Sequence, residues 1–106
     1  MNNTTGTAET DERRKVVMTP YAATQLVNNA LRRAGVIDPR TGQPKAIGSP
    51  MLYIYADRGK FAVTRAADGR WNVDRESFGT WVDSYVEAAV ERQERRREID
   101  AEMRTR

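Results

Sequence analysis

Residues 48–82 carry the clearest secondary-structure signals, and they constrain the fold more than any other part of the chain. Ser49 and Pro50 predict the start of a short helix, because a Ser hydroxyl can cap free backbone N–H groups and Pro suits the first helical position. Gly59 predicts the end of this helix, since glycine enters the left-handed conformation without strain. Residues 50–58 are therefore interpreted as one short helix.

A β-hairpin is predicted directly after this helix. Residues 61–65 alternate between larger and smaller side chains, which is the period of a strand. Asp68 and Gly69 form a turn pair, and residues 70–73 are typical of the partner strand. Asp74 then predicts the cap of a long helix. With one more helix in front, this order predicts a mainly α fold with a small β-hairpin: a winged helix-turn-helix of two helices, a hairpin wing and a long helix.

The helix in front begins at a second cap-then-Pro pair, Thr19-Pro20. Apolar side chains follow at helical spacing to about residue 34, and Gly35 predicts the end. Residues 38–47 contain two prolines and a glycine and are predicted to form a loop. This loop is longer than the three or four residues of a tight helix-turn-helix turn.

The long helix has the best-defined apolar stripe in the chain, with residues three and four apart that should face the core. The stripe consists of Phe78, Trp81, Val82, Tyr85, Val86, Ala89 and Val90. Beyond it, residues 91–106 are strongly charged and are predicted to form either a solvated helical extension or a frayed tail. Residues 1–15 lack apolar periodicity and are predicted to be a disordered arm, which leaves residues 16–90 as the folded domain.

The short helix and the hairpin contribute several apolar side chains to a small core. The residues expected to pack inward are Met51, Leu52, Ile54, Tyr55, Phe61 and Trp71. Tyr53 is open between a core position and a surface position.

The amino-acid composition disfavours several classes of function. The 106 residues include no cysteine and no histidine, which removes disulfides, the commonest metal ligand and the commonest general base. No glycine-rich phosphate loop or nucleophile motif is found, so neither an enzyme nor a cofactor is expected. No signal peptide and no membrane-spanning apolar run is found either, and a cytoplasmic protein without a membrane partner is the resulting expectation.

The net charge of +3 is unevenly distributed along the chain. Residues 1–15 are neutral, residues 16–91 carry nine basic and eight acidic groups, and residues 92–106 carry six basic and four acidic groups, which gives 0, +1 and +2. Residues 16–91, at +1, attract nucleic acid only weakly, so an interface with DNA has to depend on local clusters. The candidate DNA-binding residues are Tyr53, Arg58, Lys60, Arg65, Arg70 and Arg75.

Most of these candidates divide between a predicted recognition helix and a predicted wing. Tyr53 and Arg58 are the main polar groups that the short helix offers to base edges in the major groove. Lys60, Arg65 and Arg70 surround the hairpin turn, where a basic wing can bind phosphates or enter the minor groove. The remaining candidate, at the start of the long helix, would add one phosphate contact.

Two short motifs make the chain similar to a known family. The residues are Met51, Leu52, Tyr53, Tyr55 and Gly59 in the first motif, and Gly69, Arg70, Trp71 and Val73 in the second. With these motifs, residues 19–86 resemble the small MerR-like winged helix-turn-helix proteins of actinobacteria and their phages, which include excisionases. In that family the first motif lies on the recognition helix and the second on the return strand of the wing. The resemblance implies a double-stranded DNA-binding protein, either a transcriptional regulator or a recombination accessory factor with an integrase as partner.

Two further questions remain open from the sequence. A DNA-binding chain of this size is expected to act as a homodimer or in a cooperative array on repeated sites. The alternative is a protein-interaction module that uses the same fold without binding DNA. Its support is the nearly neutral domain, the aromatic short helix and the charged C-terminal segment, which would then be the docking element.

Overall fold

The computed structural model describes residues 16–105, which form three helices and a small antiparallel sheet. In chain order the elements are β1 (Val17–Met18), α1 (Pro20–Arg33), α2 (Ser49–Asp57), β2 (Val63–Arg65), β3 (Trp71–Asp74) and α3 (Arg75–Arg104). The predicted mainly α fold with a small hairpin is confirmed at this level. The predicted disordered arm, residues 1–15, lies outside the described residues.

Helix α1 forms as its sequence predicts. The Thr19 hydroxyl accepts a hydrogen bond from the backbone N–H of Ala22 at 3.1 Å, which satisfies one of the free donors at the helix start. The face buried against the core consists of Ala23, Val27 and Leu31. The helix ends just before Gly35, whose φ of +74° is the left-handed conformation that glycine accommodates best.

Helix α2 begins one residue earlier than predicted. Gly48 occupies the cap position, and no side chain caps the helix there. The predicted Ser49 cap is therefore wrong: Ser49 is the first helical residue, and its hydroxyl oxygen lies 3.4 Å from that of Thr24. The Ser49 hydroxyl links α2 to α1 instead of capping its own helix. The predicted end at Gly59 is confirmed by a φ of +75°.

The sheet has one strand more than predicted. Its order is β1-β3-β2, and all pairs are antiparallel. Strand β1 has only two residues, which is too short for an alternating pattern to predict it. In the hairpin, Val63 lies opposite Val73 and Arg65 lies opposite Trp71. The predicted turn closes through Gly69, with a φ of +86°.

The core lies between the three helices and the sheet. Its largest fully buried side chains are Phe78, Leu31, Leu52, Val27, Val36 and Val73. Phe61 is also buried and meets the Phe78 ring edge-on at 4.8 Å, as expected for the hairpin anchor. Trp81 contacts Tyr55 at 5.1 Å between ring centroids, and Tyr85 at 4.9 Å.

Two residues of α2 depart from the predicted core. Met51 is 36% exposed and Ile54 is 41% exposed, so the expectation that both pack inward is wrong. Helix α2 has nine residues, and it buries Leu52 fully and Tyr55 in part. One face of so short a helix is all that the small core accommodates, which leaves its other apolar side chains outside.

Helix α3 continues without a break past Val90, through the charged segment, to Arg104. Its start is capped as predicted, with the backbone N–H of Ser77 donating to the Asp74 carboxylate at 2.9 Å. The side chain of Gln93 is buried and binds the loop between α1 and α2: its amide oxygen accepts from the backbone N–H of Ile37 at 2.8 Å. Its amide nitrogen donates to the carbonyl of Gly35 at 2.9 Å. Among residues 16–105, no helix is both long enough and apolar enough to cross a membrane.

Candidate nucleic-acid interface

A groove of about 590 Å³ lies between the start of α1, helix α2 and the β2–β3 hairpin. Tyr53 lines it from α2, and Arg70 and Trp71 line it from the hairpin. Tyr21 of α1 and Asn72 of β3 also line it. The groove is therefore where side chains of the predicted recognition helix and of the predicted wing meet.

The hairpin and α2 are joined by an aromatic contact. The ring of Trp71 meets the ring of Tyr53 edge-on, with 4.4 Å between centroids. The strand register places Arg65 directly opposite Trp71, and its guanidinium carbon lies 5.8 Å from the indole centroid, within the range of a cation–π contact. Arg65, Trp71 and Tyr53 thus form a continuous row from the hairpin to α2.

Arg70 extends from the hairpin turn into solvent. Its side chain is 84% exposed, and its Nε lies 3.4 Å from a carboxylate oxygen of Asp68. The other oxygen of Asp68 accepts from the backbone N–H of Arg70 at 3.0 Å, so the aspartate both shapes the turn and partly neutralises the arginine. An ion pair this exposed contributes little stability, and a phosphate can replace the carboxylate at small cost.

The exposed face of α2 is largely apolar. Tyr53 is 40% exposed, and it lies between the exposed Met51 and Ile54. The helix contributes no arginine, lysine, asparagine or glutamine between Ser49 and Asp57. Hydrogen bonds donated by α2 to a partner would come from the Ser49 and Tyr53 hydroxyls, and the exposed Asp57 carboxylate can only accept.

The structure brings together three of the six predicted site residues. Tyr53 and Arg70 line the groove, and Arg65 stacks beside it on Trp71. Lys60 lies in a different groove, of about 550 Å³, next to the acidic residues Asp74 and Glu76 at the start of α3.

The other two predicted residues also lie apart. Arg58 is an exposed residue at the C-terminal end of α2, and Arg75 is the exposed first residue of α3. Neither of them lines the groove between α2 and the hairpin.

Sequence reasoning missed three residues of this groove. Trp71 is predicted to pack into the core, but it is only half-buried. Its ring packs against the exposed Tyr53, at the surface of the fold. Tyr21 is 70% exposed, and its hydroxyl accepts from the Gln25 side chain at 2.8 Å. Asn72 follows Trp71 on the same strand. The pairing of Arg65 with Trp71 does not follow from the predicted turn. A two-residue turn at Asp68 and Gly69 would set Arg65 opposite Asn72, whereas the observed loop has three residues, 67–69.

The described part of the chain contains no group of three or more carboxylate, histidine or cysteine side chains placed to hold a metal ion. Comparison of the chain with protein-family models, with curated proteins and with solved structures gives no match.

Proposed function

We propose that this chain binds double-stranded DNA as a winged helix-turn-helix protein. In this proposal α1 and α2 are the helix-turn-helix, α2 is the recognition helix and the β2–β3 hairpin is the wing. The observation that carries the proposal is the row of Arg65, Trp71 and Tyr53, which supports basic hairpin side chains beside the exposed face of α2. A wing held rigidly next to its recognition helix can contact the backbone while the helix contacts bases.

The chemistry of the two elements suggests different roles in binding. Arg65 and Arg70 would bind phosphate oxygens or enter the minor groove, which fixes the protein on the duplex. Helix α2 offers Met51 and Tyr53 to the major groove, where apolar side chains contact thymine methyl groups and a hydroxyl can bind either a donor or an acceptor. This set favours modest base selectivity, with positioning by the backbone contacts.

In the cell, such a chain would serve as a transcriptional regulator or as an excisionase-type accessory factor in recombination. Few base contacts per chain suit repeated sites that are occupied by a homodimer or a cooperative array. An integrase would be the protein partner in the recombination role.

The proposal is tested by substituting the wing. The Arg65→Ala/Arg70→Ala variant is titrated with fluorescein-labelled duplex DNA over a salt series and followed by fluorescence anisotropy. Loss of two phosphate contacts should lower the magnitude of the salt slope by about two units. Arg95→Ala/Arg104→Ala, which removes the same charge from exposed positions on α3, is the matched control. A folded wing variant that keeps the salt slope of the wild type contradicts the wing assignment.

A protein-interaction module remains the second candidate, and the exposure of α2 favours it. Met51 and Ile54 form an exposed apolar pair on a helix that carries no basic side chain. This candidate would be favoured if the chain binds no DNA at any salt concentration and captures a protein partner through α2. Met51→Ser/Ile54→Ser should then abolish capture while the wing variant retains it.

A further inference from the structure

A second cavity, of about 310 Å³, lies between the α1–α2 loop and helix α3. Two buried apolar residues line it, Val36 from the loop and Ala89 from the helix. Around them stand charged side chains from both elements. This cavity shares no residue with the groove between α2 and the hairpin.

The positive charge of the chain is concentrated at this cavity. Four of its nine lining residues are basic: Arg40, Lys45, Arg92 and Arg96. Asp38 is the one acidic residue among the nine, which gives the cavity a formal charge of +3. The whole chain also carries +3, so its remaining residues sum to zero. By comparison, one basic side chain lines the α2–hairpin groove.

Most of this charge has no counterion among the residues that the structure describes. Asp38 is engaged by Arg40, whose guanidinium lies 3.5 Å from its carboxylate and whose backbone N–H donates to it at 2.9 Å. These contacts with Arg40 hold the pKa of Asp38 below its usual value. Within residues 16–105, Lys45, Arg92 and Arg96 form no ion pair.

The cations are also arranged so that they repel one another. Arg92 and Arg96 are four residues apart on α3, and like charges at this spacing destabilise a helix. The loop brings Lys45 and Arg40 to the same cavity. An anion bound between these side chains would turn a repulsive arrangement into an attractive one.

The walls of the cavity are held in place independently of any ligand. Gln93, which lies between the two arginines on α3, ties the loop to the helix through the backbone of Gly35 and Ile37. The backbone N–H of Lys45 donates to the carbonyl of Val36 at 2.9 Å, which fixes the far side of the loop. A site with fixed walls loses less entropy when a ligand binds.

We propose that this cavity binds phosphate groups, held by Arg40, Lys45, Arg92 and Arg96. Guanidinium groups match phosphate oxygens with paired hydrogen bonds, and lysine adds a point charge. The phosphate has two sources with the same chemistry: the backbone of bound DNA, or a small phosphorylated molecule whose body covers Val36 and Ala89. The inference goes beyond the proposed function, because it concerns a separate cavity and does not depend on the wing.

The test is isothermal titration calorimetry of the full chain with pyrophosphate at low ionic strength. The wild type should bind it saturably. Arg92→Gln/Arg96→Gln should weaken binding by about tenfold or more, since charge-assisted hydrogen bonds are lost. Arg95→Gln/Arg104→Gln removes the same charge from exposed positions on α3 outside the cavity and should leave the affinity unchanged.

The proposal is overturned if the wild type shows no saturable binding, or if the two double variants bind pyrophosphate equally well. If Arg92→Gln/Arg96→Gln does not fold, Arg40→Gln/Lys45→Gln in the loop serves as the cavity variant with the same expectation. Addition of duplex DNA then identifies the source. Displacement of pyrophosphate by DNA supports the backbone, and undisturbed pyrophosphate binding supports a small phosphorylated ligand.

Discussion

At the level of single residues, Gln93 is a buried side chain in the charged second half of α3, and it binds the loop between α1 and α2. Its side-chain amide bridges the backbone N–H of Ile37 and the carbonyl of Gly35, and Gln93 is only 8% exposed. Through these two hydrogen bonds, the second half of α3 holds the loop that precedes α2. The position of the predicted recognition helix therefore depends on a residue far along the chain.

Replacing Gln93 should destabilise the fold. Gln93→Leu keeps the size of the side chain but leaves one N–H and one carbonyl without their partner, which costs about 1–2 kcal/mol for groups that water partly reaches. The free energy of unfolding in urea measures this loss. Glu94→Leu, at an exposed neighbouring position, should change stability by less than about 0.5 kcal/mol. Equal effects of the two substitutions would show that the bridge is not stabilising.

Tyr85 should make the fold less stable at alkaline pH. Burial, and after it the neighbouring Tyr55, raises the pKa of Tyr85 to about 12. The neutral phenol is therefore favoured in the folded state, and this stabilisation is complete below about pH 10 and is lost as the pH rises to about 12. Because Tyr85 is only half-buried and solvent screens its charge, the loss amounts to about 1 kcal/mol.

The Tyr85 prediction is checked by following urea unfolding from about pH 9 to about pH 12, roughly the range in which tyrosines titrate. Tyr85→Phe should lose about 1 kcal/mol less than the wild type over this range. Tyr21→Phe, at an exposed position, is the control and should follow the wild type. Parallel curves for wild type and Tyr85→Phe would contradict the assigned shift.

At the level of the hairpin, the turn carries an exposed ion pair between Asp68 and Arg70. Asp68 shapes the turn through the backbone N–H of Arg70 and partly neutralises its side chain. Asp68→Asn keeps the turn hydrogen bond and removes the negative charge, so DNA should bind about two- to fivefold more tightly at low salt. Anisotropy titration measures the change. As the control, Glu102→Gln removes one negative charge from an exposed position near the end of α3 and should have a smaller effect. Weaker DNA binding by Asp68→Asn would contradict the assignment of the hairpin as a wing.

Local signals in the sequence were sufficient for most elements. Caps and left-handed glycines mark both ends of α1 and the end of α2, and these signals act within a few residues of the boundary. Strand β1 could not be predicted, because two residues carry no period and its pairing with β3 is a tertiary contact. The same reason explains Gln93, since its partners lie 56 and 58 residues away in sequence.

The candidate site was predictable only in part. Tyr53, Arg65 and Arg70 lie close together, as the order of helix and hairpin implied. The contact of Arg65 with Trp71 was not predictable, because the turn has one residue more than predicted and this shifts the strand register by one. Lys60 points to another groove, since it precedes the first paired residue of β2 and is not held by the hairpin register. The exposure of the apolar side chains on α2 could not be predicted, because a nine-residue helix is too short for its period to select one face.

At the scale of the whole molecule, α3 is the element that connects the two candidate binding regions. Its 30 residues span about 45 Å. The start of the helix follows directly from the hairpin, and its second half carries Arg92 and Arg96 at the basic cavity. About 25 Å of helix separates Arg75 from Arg92, so both regions could contact one duplex only if it follows the helix.

Shortening α3 at two points should separate its structural part from its extension. A chain ending at Glu98 keeps Gln93 and should melt within about 2 °C of the full chain, because residues 99–105 are exposed. A chain ending at Val90 loses Gln93 and should melt about 5 °C or more below it. Thermal unfolding followed by circular dichroism measures both. Equal melting of the two shortened chains would mean that residues 91–98 add no stability.

The most direct test of the central claim is the salt dependence of binding between the unmodified chain and random duplex DNA, followed by fluorescence anisotropy. Two phosphate contacts, from Arg65 and Arg70, predict that the logarithm of the binding constant falls with the logarithm of the salt concentration. The slope should be about −1.8 or steeper. Affinity should then fall at least roughly 12-fold between about 50 and about 200 mM salt. Binding with such a slope is the result expected for a DNA-binding winged helix. No binding at about 50 mM salt, or binding that is independent of salt, would contradict the proposed function.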